Sequence, residues 1–181
     1  MGNYSELFFT DTPHPPERGA LDASPDPMLS VNNHLPLLWL ALFQAKDIVD
    51  LPEDEDGQSW PYLAKPVADA LPLLVAREAA IRNAFPVLDP LWLGQFKAVL
   101  QAASARFVHV DTRDLGCLLD SAEEWRQELA LMLGIFEAPR RASQEWTAFD
   151  RQLGANFEGL RARDAWRYCG SSGGLGKLAW E

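Results

Sequence analysis

The run Glu53, Asp54, Glu55, Asp56, Gly57 has the composition of half a calcium loop, in which oxygen ligands recur at every second residue ahead of a glycine. Its frame is wrong for one. The first ligand position falls on Pro52, and the last, which needs a bidentate Glu, falls on Leu63. A second candidate is the stretch Gly170 to Lys177, GSSGGLGK, whose glycines and lysine are the parts of a phosphate cradle. Counting back from Gly176 and Lys177, the position that needs the first Gly holds Ser171, and Leu178 stands where Ser or Thr is required. A glycine-turned hairpin is the expectation there. A third group is His109, Asp111 and Cys117, the types of a thiol nucleophile with its base and orienting acid. Cys117 lies between Gly116 and Leu118, and nothing in that apolar setting activates a thiol. His14 and His34 stand in loop and cap contexts, and no H-x-x-x-H or C-x-x-C spacing occurs, so no metal ligand is assigned. No catalytic residue and no cofactor are assigned either.

What remains is charge. Residues 1–56 hold 11 Asp or Glu against Arg18 and Lys46, whereas the other 125 residues carry 15 acids and 14 bases. Five of those 11 acids are spread through the N-terminal strand and a proline-rich loop; the other six are Asp47, Asp50 and Glu53 to Asp56. A concentrated negative surface repels nucleic acid and anionic membrane and steers a basic protein partner. The one basic region, Arg140, Arg141, Arg151, Arg161, Arg163 and Arg167, is small and interleaved with Glu145, Asp150, Glu158 and Asp164. Direct nucleic-acid binding is therefore not expected.

The elements that must carry these groups follow from pattern. Tyr4 to Thr10 and Phe107 to Val110 are rich in aromatic and β-branched residues and read as strands. Five prolines between Thr12 and Pro27 make an extended loop over residues 12–30. Asn33 is a suitable cap for an apolar helix from about Leu35 to Val49, and an acidic loop over residues 50–61 follows it. The spacing of Val67, Leu71, Leu74, Val75, Ile81 and Phe85 predicts a helix over 66–85, with Pro72 breaking it and Arg77, Glu78 and Arg82 facing water. Asp89 before Pro90 starts another helix, whose apolar stripe runs Trp92, Leu93, Phe96, Val99, Leu100. Ser121 and Glu124 form a capping box ahead of Trp125, Leu129, Met132, Leu133 and Phe136. A last helix is expected from Ser143, with Trp146, Phe149, Leu153, Phe157 and Leu160 on one side, then a terminal hairpin from Trp166–Cys169 and Leu175–Trp180.

The expected architecture is a helix-dominated α+β single domain over residues 1–181, with about five helices and one small antiparallel sheet from N-terminal, middle and C-terminal strands. A chain of 181 residues is long enough to bury one sizeable core. The longest apolar stretch, Leu35 to Phe43, is far short of the ~20 residues that span a bilayer. The opening MGNYSELFFTD has neither the basic nor the apolar part of an export signal, and it does not fit a myristoylation pattern. With two cysteines, Cys117 and Cys169, the expectation is reduced thiols and a cytoplasmic location.

Three stretches, MGNYSELFFTD, NNHLPLLWLALF and FVHVDTRDLGCLLDSAEEWRQEL, resemble small, acidic, single-domain bacterial immunity proteins, the cognate inhibitors encoded beside secreted polymorphic or type VI toxins. The resemblance covers about two-thirds of the chain and brings no diagnostic motif, so no functional residue is carried over from it. It implies a protein that binds and neutralises a cognate toxin, a basic nuclease being the natural target. On the charge pattern, the expected partner-binding residues are Asp47, Asp50, Glu53, Asp54, Glu55, Asp56, Trp60 and Tyr62. Electrostatic steering would speed encounter, and buried aromatics would supply most of the affinity. The alternatives are a regulatory or structural subunit unrelated to toxins and an enzyme of unrecognised class.

Overall fold

The computed structural model describes residues 3–15, 25–53, 57–86, 88–137, 165–172, 178 and 180. Five strands form one antiparallel sheet: β1 (Tyr4–Thr10), β2 (Leu29–Asn32), β3 (Ile48–Asp50), β4 (Pro61–Pro66) and β5 (Phe107–Asp111), in the order β2-β1-β5-β4-β3. Among the described residues, three longer helices, α2 (Val67–Ala84), α3 (Pro90–Ala102) and α5 (Ala122–Gly134), join three short ones, α1 (Leu37–Leu40), α4 (Arg113–Gly116) and α6 (Ala165–Cys169). The chain has an α+β fold, as its patterning predicts.

The sheet has two unlike faces, and alternation along the strands decides what each receives. Leu7 and Phe9 of β1, Leu29 and Val31 of β2, Leu63 of β4, and Val108 and Val110 of β5 point to one face and join the main core. Helices cover it. The apolar stretch Leu35–Phe43 is central there, but it makes one helical turn rather than a helix reaching Val49. A 3-10 turn, Ala45–Asp47, follows, and then β3. Arg77, expected on the wet side of α2, is 3% exposed, and its Nη1 donates to the carbonyls of Ala41 (2.9 Å) and Phe43 (2.6 Å). Its guanidinium also lies 4.8 Å from the centre of the Phe136 ring. A buried cation is thereby used to satisfy carbonyls that the single turn of α1 leaves over. Val75, expected in the core, is 52% exposed.

Pro72 does not break α2. The helix runs 18 residues through it. Ala68 and Pro72 are both exposed, so the carbonyl that loses its donor at Pro72 can be hydrated. Asp89 caps α3 by accepting from the Leu91 N–H at 2.8 Å, and Leu93, Phe96 and Leu100 are its buried stripe, as the sequence predicts. The capping box of α5 is half formed. Ser121 accepts from the Glu124 N–H at 3.1 Å, but the Glu124 carboxylate accepts from Asp120 N (3.2 Å) instead of Ser121.

The expected C-terminal hairpin does not form as predicted: its first arm is helical, and of its second arm, Leu175–Trp180, only residues 178 and 180 lie within the described residues. Trp166–Cys169 belongs to α6, and the glycine after it, Gly170, adopts φ +82, the left-handed conformation that ends a helix. A glycine read as a hairpin turn is a helix stop. Gly170 also abuts the Trp39 indole so closely that a Cβ would sit 2.4 Å from Cζ2. The Trp39 Nε1–H donates to Cys169 O and the Trp180 Nε1–H to Gly170 O, each at 2.9 Å. Among the described residues the segment pairs with the sheet through the bridge Ser30↔Ser171. The helix expected from Ser143 to Leu160 and the arginines at 140, 141, 151, 161 and 163 lie outside the described residues.

Candidate functional site

The acidic region divides into parts that do different work. Asp47 is not an open surface charge. Its carboxylate takes a 2.7 Å ion pair from Lys65, whose side chain is 6% exposed, and accepts from Gln44 N at 2.8 Å. That pair explains how a lysine can occupy an inward position of β4: a buried ammonium must be matched by a charge. Tyr62 is also internal, with no exposed area. Tyr62 presents no surface to a partner and Asp47 little, so the outward part of the expected contact set is smaller. Asp50 is 59% exposed at the end of the edge strand β3 and pairs with Arg126 of α5. Glu53 is exposed, and Asp54, Glu55 and Asp56 lie outside the described residues.

The loop that carries these acids is closed at its mouth. Leu51 N donates to Trp60 O at 3.0 Å, and the Ser59 hydroxyl donates to Leu51 O. Trp60 is half-buried and packs against both hydrophobic clusters at the rim of the sheet. Behind it, Trp125 Nε1 donates to Thr112 Oγ1 at 3.0 Å, and the Thr112 hydroxyl donates to Pro61 O at 3.0 Å. Gly116 is pressed between the Trp125 and Trp60 rings; a Cβ there would be 2.6 Å from Trp125 Cδ1. The loop therefore springs from a rigid base. Among the earlier scattered acids, Asp26 is likewise engaged, accepting from the Ser104 and Ala105 N–H groups at 2.9 Å.

The second face of the sheet holds a polar network that sequence reading missed. His109 is fully buried, stacked on Phe8 with ring centres 5.2 Å apart, and both its nitrogens are hydrogen-bonded. Nε2 lies 2.7 Å from Thr10 Oγ1 and 3.1 Å from Thr12 O, and Nδ1 meets the Tyr62 hydroxyl. A carbonyl can only accept, so Nε2 carries the proton and Nδ1 accepts from Tyr62. The Thr10 hydroxyl then donates to Thr12 O, at 2.8 Å, while accepting from Nε2. Burial holds His109 down at a pKa of about 4, opposed by the Thr12 carbonyl and aided by His14. Burial pushes the Tyr62 phenol well above the usual tyrosine range, with the Asp111 carboxylate acting in the same direction. Neutral His109 is thus a fixed structural group.

His109 and Asp111 share this face, as their spacing predicts, but the triad with Cys117 is not assembled. Asp111 is held by Arg113 at 2.6 Å, and both nitrogens of His109 are taken by Tyr62, Thr10 and Thr12. Cys117 is exposed; Cys169 is buried, and burial raises its thiol pKa. Beside Asp111 a shallow cleft of about 140 Å3 is lined by Tyr4, Glu6, Asp111 and Asp114. Among the described residues no group of three or more His, Cys, Asp or Glu is arranged to hold a metal. No helix among them is long and apolar enough to cross a membrane.

The fold and these features define an α+β protein whose antiparallel sheet is covered by helices on one face and by loops on the other, with an acidic loop at one edge. No protein-family model, no curated protein and no solved structure matches the chain.

Proposed function

We propose that this chain is an immunity-type protein that binds and neutralises a cognate secreted antibacterial toxin, a nuclease with a basic substrate cleft, by protein–protein contact in the cytoplasm. The observation that carries the reading is the charge segregation: 11 acids against two bases in residues 1–56. Asp50 stands opposite Pro61 on the exposed rim beside half-buried Trp60, and Glu53, three residues on, is exposed. Asp47 and Tyr62 support that rim from inside rather than touching a partner. Steered association needs an exposed charge field, and affinity needs a partly exposed aromatic that a partner can finish burying. The loop supplies the first and Trp60 the second.

The test is association kinetics between this chain and the product of the adjacent gene. Replacing Asp50, Glu53, Asp54, Glu55 and Asp56 by Asn or Gln lowers the association rate at low salt by at least about tenfold and removes most of its salt dependence. An unchanged rate would take the loop out of the mechanism. No complex with the neighbouring gene product would remove the toxin reading itself.

A further inference from the structure

Residues 11–14, which follow β1 and supply Thr12 O, are exposed along their whole length. They are held by the Thr10 and Thr12 hydroxyls, by Arg106 Nη2 donating to Asp11 O at 2.6 Å, and by His109 itself. We propose that His109 is an acid-sensitive latch: a second proton on its imidazole releases the segment Thr10–His14 from the sheet while the helix-covered face stays folded.

In the neutral ring Nδ1 is the acceptor for the buried Tyr62 hydroxyl. Protonation turns that acceptor into a donor, so the Tyr62 hydroxyl must turn round and its hydrogen loses its acceptor. The imidazolium itself would be a buried cation. Among the described residues, the groups that face it offer no free counter-charge. Tyr62 of β4 is a neutral phenol, and Phe8 and Thr10 of β1 carry no charge. On its own strand Asp111 is already engaged by Arg113, and Glu6 stands opposite Asp111 in register rather than opposite His109. On the segment, Asp11 lies 3.9 Å from Arg106, and His14 would add repulsion as a second cation. The ring can reach water by lifting the exposed residues 11–14, which bond to it through Thr12 O, without disturbing the helices on the far face.

Hydrogen exchange of the full chain, corrected for the intrinsic pH dependence of exchange, tests this at about pH 7 and about pH 4.5. In the wild-type chain the opening constant of Thr10–His14 rises on acidification by between about tenfold and a hundredfold, while peptides of α2 and α3 keep their protection. In His109→Gln, which cannot titrate at this position, that rise is absent. The same rise in His109→Gln overturns the latch, as does loss of helix protection together with the segment. If His109→Gln does not fold, the wild-type chain decides. Selective opening of the segment supports the latch, and opening only with the helices, or none, overturns it.

Discussion

The two faces of one sheet solve the burial problem differently. On one face Leu7, Phe9, Leu63, Val108 and Val110 meet helices, and the core is largely apolar, its buried polar side chains including Ser5, Arg77 and the Lys65–Asp47 pair. On the other, Phe8, Tyr62 and Leu51 make a small cluster around a buried imidazole, closed by loops. Removing a methylene matters most on the first face. On the second a proton matters as much. Non-directional packing is insensitive to pH, whereas a network of fixed donors and acceptors depends on each hydrogen being where its partner expects it.

The contrast can be broken most severely on the helical face. Phe96→Ala should cost about 3–5 kcal/mol of unfolding free energy, read from denaturant midpoints, because Phe96 is fully buried among large neighbours. Gly170→Ala should cost about 1–3 kcal/mol or more, since it combines a positive φ with a Cβ pressed into Trp39. On the second face the largest effect should be acid. The pKa of His109 is depressed in the folded chain, so the unfolded chain binds the extra proton first, and the associated stability is present above about pH 6.5 and lost as pH falls toward about 4. Its size is on the order of 3 kcal/mol, and the slope of stability against pH should flatten in His109→Gln over that window. Tyr62→Phe should cost about 1–3 kcal/mol, because it leaves Nδ1 of a buried ring with no donor. Smallest is Asp50→Asn at the exposed rim, below about 1 kcal/mol in stability, because Asp50 and Arg126 are both solvent-accessible. A large loss there would mean that the rim is structural.

Much of the helical face was legible in the sequence, and little of the loop face was. α3 announces itself through Asp89, Pro90 and a stripe at three- and four-residue spacing, and α5 through Ser121 and Trp125, because local caps and periodicity decide both. β1 and β5 are equally visible as aromatic and β-branched runs. β3 and β4 were hidden for a physical reason. β4 is flanked by prolines and carries Lys65, whose inward position depends on Asp47, 18 residues away in sequence. Arg77 was placed on the wet side because periodicity cannot foresee that the carbonyls of Ala41 and Phe43 need a donor. The same holds for His109, whose partners Tyr62 and Thr10 come from two other strands. In the acidic loop, composition identified the charge but not which acids are committed inside. Asp47 differs from Glu53 only through tertiary contacts.

The imidazole nitrogen spectrum of His109 in the intact chain tests the account of the second face most directly. The account predicts a neutral ring protonated at Nε2 at neutral pH, with no titration until the pH falls toward about 4. A ring protonated at Nδ1, or one that titrates near the ordinary histidine value of about 6.5, would contradict it.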